Sequence, residues 1–357
     1  MFEQLLADER EYLARYMTGV SRSFALVAPE VESPLDDYLA TAYLICRVVD
    51  NIEDTMQPFS WQQARFAELI EMLNSPQEAA VTLARWGALE WPSLTEREQS
   101  MMSSEDGGML WQIYDKLPDR YRDPICRWAT EMAFGMERSG NPLTSDYFFS
   151  QKGVRLPHTK ADYDLYCFYV AGTVGRMITE LAILFYEVGE DTSHTLTAGS
   201  DACGRALQKT NIIKDFVRDL RRGVCFLPDA WLREVDYAPL ALAGVPASWK
   251  AAVILDVVRE LEDSVPYVLA LPPTAVGFRR AGLLMMLPAY ETMLLAARKV
   301  TDLFTARHEV KISRAAMGQC VLRARQIAGD DAAISAYAQR MSGRIREHLA
   351  AVNGGGA

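Results

Sequence analysis

Two short segments of the chain carry carboxylates at a spacing that places them on one side of a helix. Residues three, four or seven apart share a helical face, so each segment presents a polar stripe while its apolar side chains point elsewhere. The stripe of "YLICRVVDNIED" consists of Tyr43, Arg47, Asp50 and Asp54, with Glu53 beside them. The stripe of "LQKTNIIKDFVRD" consists of Gln208, Asn211, Asp215 and Asp219.

Paired carboxylates of this kind suit Mg²⁺, which prefers oxygen ligands and is commonly held by one or two carboxylates together with substrate phosphates. Two opposed stripes could hold several Mg²⁺ ions, and those ions could hold a diphosphate. The metal would neutralise the charge that develops on a departing diphosphate. The alternative is that each stripe is only a solvated face, which is the favoured interpretation of a single D-x-x-x-D segment. A calcium-binding EF-hand loop is excluded, because both segments lack its glycine and its ligand spacing.

The composition is that of a globular protein with a substantial core. Of the 357 residues, 50% are hydrophobic and 24% are charged. The formal net charge of −10 argues against general nucleic-acid binding. The six cysteines are scattered without a CxxC pair, so we expect buried free thiols in a reducing compartment rather than a zinc site.

The N-terminal sequence "MFEQLLADEREYLARYM" carries acids from position 3 onward, unlike a signal peptide. The most apolar stretch, "AGLLMMLPAYETMLLAARKV", contains Pro288 and Glu291 and is too short to span a bilayer. We therefore expect a cytoplasmic protein without a transmembrane anchor, in peripheral contact with a membrane surface at most. A monomer is the default expectation.

Helical periodicity dominates the chain, and no alternating strands are predicted. The predicted helices cover residues 2–18, 36–55, 60–74, 78–90, 107–116, 119–139, 161–188, 197–220, 247–268, 275–306 and 312–350. Breakers such as "APEVESP", "SGNP" and "LPP" separate them. Because no linker or repeat divides the chain, we predict one all-α domain over residues 1–350, followed by a disordered tail at 351–357.

Four segments occur in an order and at separations that match a known family. They are "SRSFA" at 21–25, "YLICRVVDNIED" at 43–54, "YCFYVAGTVG" at 166–175 and "LQKTNIIKDFVRDLRRGVCFLP" at 207–228, and a later "LP" at 287–288 and "VKIS" at 310–313 also correspond. On these residues the chain resembles the head-to-head prenyl synthases, the squalene and phytoene synthase family, over most of its length. The resemblance implies an all-α, isoprenoid synthase-type bundle with a central active-site cavity.

Within that family, "QKTNII" and "VKI" look like the squalene synthases, whereas phytoene synthases more usually carry "QLTNILRD". The resemblance therefore implies a Mg²⁺-dependent condensation of two farnesyl diphosphates to presqualene diphosphate, which NADPH then reduces to squalene. The alternatives within the family are a dehydrosqualene or phytoene synthase without a reductant, and an enzyme that stops at presqualene diphosphate. From another class, the alternative is a non-catalytic helical protein that binds metal or a basic partner, which would have no need of arginines among its acids.

The resemblance assigns the acids to Mg²⁺ binding and thereby to catalysis of diphosphate departure. The implied metal ligands are Asp50, Glu53, Asp54, Asp215 and Asp219. The side chains expected to bind the diphosphates beside them are Ser21, Arg22, Ser23, Arg47, Gln208, Asn211 and Lys214. Arginine suits this task as a bidentate fork, and lysine as a point charge.

Tyr166 holds the position of the family's catalytic tyrosine, where it would assist ionisation or take up a proton as the cyclopropane forms. Tyr43 is a second tyrosine expected to face the cavity. The residues expected to line an apolar pocket for the prenyl chains are Phe24, Val170, Gly175, Leu207, Leu284, Leu287 and Pro288. Such a pocket has to be dry, because water would capture a carbocation. The alternative for the small residues after Tyr166 is close packing between helices.

For NADPH, the resemblance points to Lys311 and Arg314 in "VKISR" as partners of the cofactor phosphate. The chain has no nucleotide-binding glycine fingerprint. Ser313 stands where squalene synthases usually have a further basic residue, and Val224 replaces a basic residue that commonly follows "RRG". These departures concern the reductive step rather than the diphosphate chemistry.

Overall fold

The computed structural model describes residues 5–20, 24–141, 146–236, 242, 244–272, 274–305 and 310–354, with the backbone alone at 24, 25 and 352–354. The fold is helical, as predicted. The helices are α1 (Ala7–Val20), α2 (Phe24–Val27), α3 (Leu35–Asp54), α4 (Phe59–Asn74), α5 (Ala79–Trp86), α6 (Glu96–Met101), α7 (Gly107–Lys116), α8 (Asp119–Gly140), α9 (Lys160–Cys167), α10 (Thr173–Tyr186), α11 (Glu190–Arg221), α12 (Asp229–Arg233), α13 (Ala247–Asp263), α14 (Val265–Ala270), α15 (Val276–Arg298), α16 (Arg314–Ile327) and α17 (Asp331–Gly354).

The chain divides into two compact units. The first contains residues 1–141 and 173–193, and the second contains residues 142–172 and 194–357. The prediction of one helical domain over residues 1–350 stays a prediction. The last helix extends to Gly354 and so includes the first residues of the predicted tail, whereas residues 355–357 lie outside the described part of the chain.

In the first unit, α3 occupies the centre. It packs against α1, α4, α7, α8 and α10. The apolar side chains between its acids are fully buried: Leu44, Ile45, Val48, Val49 and Ile52. Each buried aliphatic side chain of this size contributes roughly 1.5–3 kcal/mol, so the rotation of α3 about its axis is firmly set.

In the second unit, α13, α15 and α17 pack against one another, and α16 packs against α15. Pro288 lies inside α15, and its carbonyl oxygen accepts a 2.7 Å hydrogen bond from the Thr292 hydroxyl. The five-residue segment Phe168–Gly172 is a π-helix that follows α9 directly. It separates the helix that carries Tyr166 from α10.

α11 approaches this π-helical segment at backbone distance. A Cβ atom placed on Gly204 would lie 2.3 Å from the carbonyl oxygen of Ala171 and 2.7 Å from the Cα of Gly172. Only glycine fits at such a contact. Ala171 and Gly172 therefore serve close helix packing, which was the alternative interpretation of the small residues after Tyr166. Their making room for a prenyl chain stays a prediction.

The structure contains a β-hairpin that we did not predict, formed by β1 (Phe148–Gln151) and β2 (Val154–Pro157) in antiparallel register. Lys152 and Gly153 form its two-residue turn with φ values of 50° and 78°. Positive φ at both positions is the geometry of a type I′ turn. Because each strand has only four residues, the alternation of side chains was too short to stand out from the helical background.

Several predicted helix boundaries were also wrong. The predicted helix 312–350 is two helices, because the chain turns at Gly329 and Asp330 then accepts a 2.9 Å hydrogen bond from the Ala333 amide at the start of α17. The predicted helix 247–268 is interrupted at Ser264. The short helix α6, which begins with a capping box of Thr95 and Glu98, was missed.

One helical stretch of the described residues, Lys160–Tyr186, is long and apolar enough to cross a membrane by length and composition alone. The core helix of a folded domain passes the same test, and 44% of its apolar window is buried inside the protein. This is weak evidence for a membrane span, and no clear transmembrane anchor emerges from the described residues. All six cysteines are free, and four of them are buried.

We predict that Gly204→Ala lowers the free energy of unfolding by about 1–3 kcal/mol, because the added methyl group forces α11 away from Ala171. Gly318→Ala in α16 is the matched control, since a Cβ there meets no atom within 4 Å. That control should be neutral or stabilising by up to about 1 kcal/mol. Urea unfolding followed by circular dichroism measures both, and equal stability of the two variants would contradict the close approach.

Candidate active site

The polar stripe on α3 is organised around Arg47. One terminal nitrogen of its guanidinium donates a 3.2 Å hydrogen bond to the Tyr43 hydroxyl, and the other lies 3.4 Å from Asp50 Oδ2. The side chains of Arg47 and Asp50 are 19% and 24% exposed. The stripe is therefore half-buried, rather than the freely solvated face that was the alternative interpretation.

Burial has a large effect on the charge of Asp50. It raises the pKa of this carboxyl to about 7, with Arg47 acting against the rise and Asp54 and Glu98 adding to it. For Arg47, burial opposes the charged form, but Asp50 and Tyr43 outweigh it and raise the guanidinium pKa above its usual value. The stripe thus concentrates negative charge around one permanent cation, an environment that a divalent cation would relieve.

The polar stripe on α11 has the same mixture of acids and cations. Lys214 donates a 2.8 Å hydrogen bond to Asn211 Oδ1, and its ammonium lies 3.4 Å from Asp215 Oδ2. Arg218 lies 3.3 Å from Asp215 and 3.8 Å from Asp219. Arg218 was not among the predicted site residues. Its position between the two acids of "DFVRD" could have indicated that it belongs to the stripe. Gln208 lies on the same helix and is partly buried.

Tyr166, at the end of α9, is 3% exposed and sits in an aromatic cluster. Its ring stacks on Phe226 with 4.5 Å between centroids and meets the edge of Phe148 at 5.5 Å. Both partners were missed by the sequence analysis. Phe148 comes from the unpredicted hairpin, and Phe226 follows α11 in the quoted segment "RRGVCFLP". The cluster shields the tyrosine from water, as we would expect for the catalytic tyrosine predicted at this position.

The hairpin is attached to the loop that follows α11. The Arg155 amide donates a 2.8 Å hydrogen bond to the Gly223 carbonyl, and the Cys225 amide donates one of 2.8 Å to the Arg155 carbonyl. The Val224 amide donates to the Asp219 carbonyl at 3.1 Å. One short run of backbone therefore connects the second acidic stripe to the strands that cover Tyr166.

The residues predicted to line the apolar pocket differ in exposure. Leu284, Leu287 and Gly175 are buried, whereas Val170, Leu207 and Pro288 are partly exposed. That they line one pocket stays a prediction. A groove beside α15, α16 and α17, lined by residues that include Arg323 and Arg340, contains none of them.

Four predicted residues cannot be placed. Ser21, Arg22 and Ser23 lie outside the described residues, as does the side chain of Phe24. Lys311 and Arg314, predicted for NADPH, are exposed. Ser313 between them caps α16, since its hydroxyl accepts a 3.1 Å hydrogen bond from the Ala316 amide. Serine is a preferred N-cap, which gives a structural reason for its presence at this position.

Within the described residues, no group of three or more acidic, histidine or cysteine side chains is arranged to hold a metal ion. The donors that are present are carboxylate and amide oxygens. Their chemistry fits Mg²⁺, which typically takes one or two carboxylates and completes its shell with water and substrate phosphates. The two stripes therefore fit the predicted metal in donor type.

Comparison with known proteins identifies the family of the chain. The family model described as squalene/phytoene synthase matches residues 17–316. Squalene synthase ERG9 of Candida albicans is 31% identical over 216 residues, which are 60% of this chain and 43% of that protein. Squalene synthase of Homo sapiens is 25% identical over 281 residues, which are 75% of this chain and 59% of that protein. The chain thus spans about half the length of the curated relatives it matches.

Solved structures agree on the fold. A structure described as TcSQS with the ligand BPH1237 has a TM-score of 0.75 at 23% identity, with 96% of each chain covered. A dehydrosqualene synthase in complex with a ligand has a TM-score of 0.60 at 17% identity, with 89% of this chain and 96% of that chain covered. These findings confirm the resemblance drawn from the motifs. The chain belongs to the squalene/phytoene synthase family and has its helical isoprenoid synthase fold.

Proposed function

We propose that this prenyl transferase is a squalene synthase, which condenses two farnesyl diphosphates to presqualene diphosphate and reduces that intermediate with NADPH to squalene. The supporting observation is that each acidic stripe has a cation built into it. Arg47 lies 3.4 Å from Asp50, and Lys214 lies 3.4 Å from Asp215. In a protein that only binds metal, these cations would lower the affinity for the metal. A protein that binds a metal–diphosphate complex uses its acids for the metal and its cations for the diphosphate oxygens.

The roles of the chain's own groups follow from their positions. Bound Mg²⁺ would neutralise the negative charge that develops on the departing diphosphate. Asp50, Glu53 and Asp54 on α3, and Asp215 and Asp219 on α11, would hold the metal. Arg47 and Lys214 would bind diphosphate oxygens directly. Tyr166, held against Phe226 and shielded from water, would assist ionisation or accept a proton.

The "QKTNII" segment and the names of the curated relatives, which are squalene synthases, favour squalene as the product. The second candidate is a dehydrosqualene or phytoene synthase, or an enzyme that stops at presqualene diphosphate. It is favoured by Ser313, which caps α16 where a basic residue for NADPH would otherwise stand. We further propose that the protein works in the cytoplasm as a monomer and contacts membranes peripherally, because squalene is an insoluble hydrocarbon.

The product test separates the two candidates. Purified protein with farnesyl diphosphate and Mg²⁺ should form squalene when NADPH is added, and should accumulate presqualene diphosphate or dehydrosqualene without it. Chromatography with mass spectrometry identifies the products. Dehydrosqualene in the presence of NADPH would favour the second candidate, and an absence of any substrate consumption would contradict both.

Lys311→Gln should raise the KM for NADPH and leave diphosphate release unchanged.

We predict that Asp219→Asn slows diphosphate release by about a hundredfold or more, because it removes a charge that stabilises the transition state through the metal. Asp191→Asn, in the first turn of the same helix, is the control and should retain activity. A phosphate-detection assay with pyrophosphatase measures release, and isothermal titration measures Mg²⁺ binding. Wild-type rates for Asp219→Asn at saturating Mg²⁺ would show that the metal role is wrong.

Tyr166→Phe removes one hydroxyl from the aromatic cluster and should slow presqualene diphosphate formation by about a hundredfold or more, as expected for loss of an acid–base group. Tyr163→Phe is the matched control, because Tyr163 is equally buried on the same helix and its ring packs instead against Trp231. Rapid-quench measurement of the intermediate compares them. Equal rates in the two variants would refute the role of Tyr166.

A further inference from the structure

Lys209, in the middle of α11, is fully buried. Its ammonium lies 2.7 Å from Asp164 Oδ1, 2.9 Å from Asp256 Oδ2 and 2.7 Å from Glu260 Oε1. The ring of Tyr163 lies beneath it at 5.2 Å from the centroid. Lysine is rarely buried to this degree, and only when its charge is compensated.

Further cations surround the three carboxylates. Arg205 donates two hydrogen bonds of 3.0 Å to Glu260. Lys160 lies 2.5 Å from Asp164. Arg259, whose side chain is 65% exposed, approaches the cluster from the solvent side at 3.3 Å. Among the described residues, Lys209 and these three cations therefore contact the same three carboxylates.

The contacts favour the charged forms of Lys209 and Asp256. Burial disfavours the charged form of Lys209, but Asp256, Glu260 and Asp164 outweigh it and raise the lysine pKa above its usual value. Burial likewise acts to raise the pKa of Asp256, but Lys209 outweighs it and the pKa is lowered. The hydrogen bonds that Lys209 donates to Asp256 and Glu260 are therefore charge-assisted, and its 2.7 Å contact with Asp164 is an ion pair.

The position of the cluster links two parts of the proposed chemistry. Asp164 lies two residues before Tyr166 on α9, and Lys209 lies six residues before Asp215 on α11. Directly after α9 the backbone changes to the π-helical segment, so α9 is not held in register by a continuous α-helix. The 2.7 Å ion pair between Asp164 and Lys209 joins α9 directly to α11, and the 3.3 Å contact of Lys160 with Asp256 joins α9 to the rest of the cluster.

We propose that Lys209 is a positioning residue that, through Asp164, holds Tyr166 in register with Asp215 and Asp219. The proposal rests on the proposed function, in which those three side chains act on the same departing diphosphate. Loss of the contact should leave substrate binding intact and misplace the tyrosine, and misplacement of a catalytic group by about 1 Å costs up to roughly a hundredfold in rate.

The decisive variant is Asp164→Ala, because it removes the direct contact between α9 and Lys209, leaves Lys209 paired with Asp256 and Glu260, and keeps the contact of Lys160 with Asp256. We expect kcat for diphosphate release to fall roughly tenfold to a hundredfold with an almost unchanged KM for farnesyl diphosphate. Asp164→Asn keeps an acceptor oxygen and should recover part of the loss. Arg259→Gln is the control, because it removes a cation from the exposed side of the cluster and should leave kcat unchanged.

A second measurement does not depend on activity. Fluorotyrosine placed at position 166 reports the surroundings of the ring by ¹⁹F NMR, and Asp164→Ala should broaden or shift that signal while Arg259→Gln should not. Unchanged kcat and an unchanged signal in a folded Asp164→Ala variant would overturn the proposal, as would equal losses in Arg259→Gln. If the wild type releases no diphosphate, the proposed function fails, and an unmoved ¹⁹F signal would then reject the positioning role independently.

Discussion

The constraint on which the rest of this structure depends is that charged side chains have to be held partly buried on helices that also form the apolar core. The free energy that offsets the partial burial of these charges comes from burial of the apolar residues between the acids. On α3 those residues are fully buried and the helix packs against several neighbouring helices, so the direction of the polar stripe follows from this packing. A substitution that altered this packing would rotate Arg47 and Asp50 together.

A second principle is that acids and cations alternate within each stripe. Arg47 beside Asp50, and Lys214 with Arg218 beside Asp215, keep the carboxylates from repelling one another when no metal is bound. If Mg²⁺ binds the carboxylates as proposed, the same cations would become available to phosphate oxygens.

The sequence predicted the helical fold and the two stripes, because both depend on a periodicity that persists over many turns. It predicted the family from motifs, and the family comparison confirms that. It did not predict the hairpin, whose strands have only four residues each, or the π-helical segment, which has five. Phe148 and Phe226 were missed for a related reason: they meet Tyr166 only through pairing between distant segments. Lys209 was quoted within a motif, but nothing in the local sequence shows that Asp164, Asp256 and Glu260 surround it.

The attachment of the hairpin to the loop after α11 has a consequence for how the protein becomes active. Phe148 lies in β1 and Phe226 follows α11 in the sequence. The two rings can therefore meet only after α11 has been synthesised and folded. Contacts of such long sequence separation form late, because closing the intervening chain has an entropic cost. We therefore expect the shielding of Tyr166 to form only after α11 has folded, so a chain that has its helices but lacks this contact would have an unshielded tyrosine.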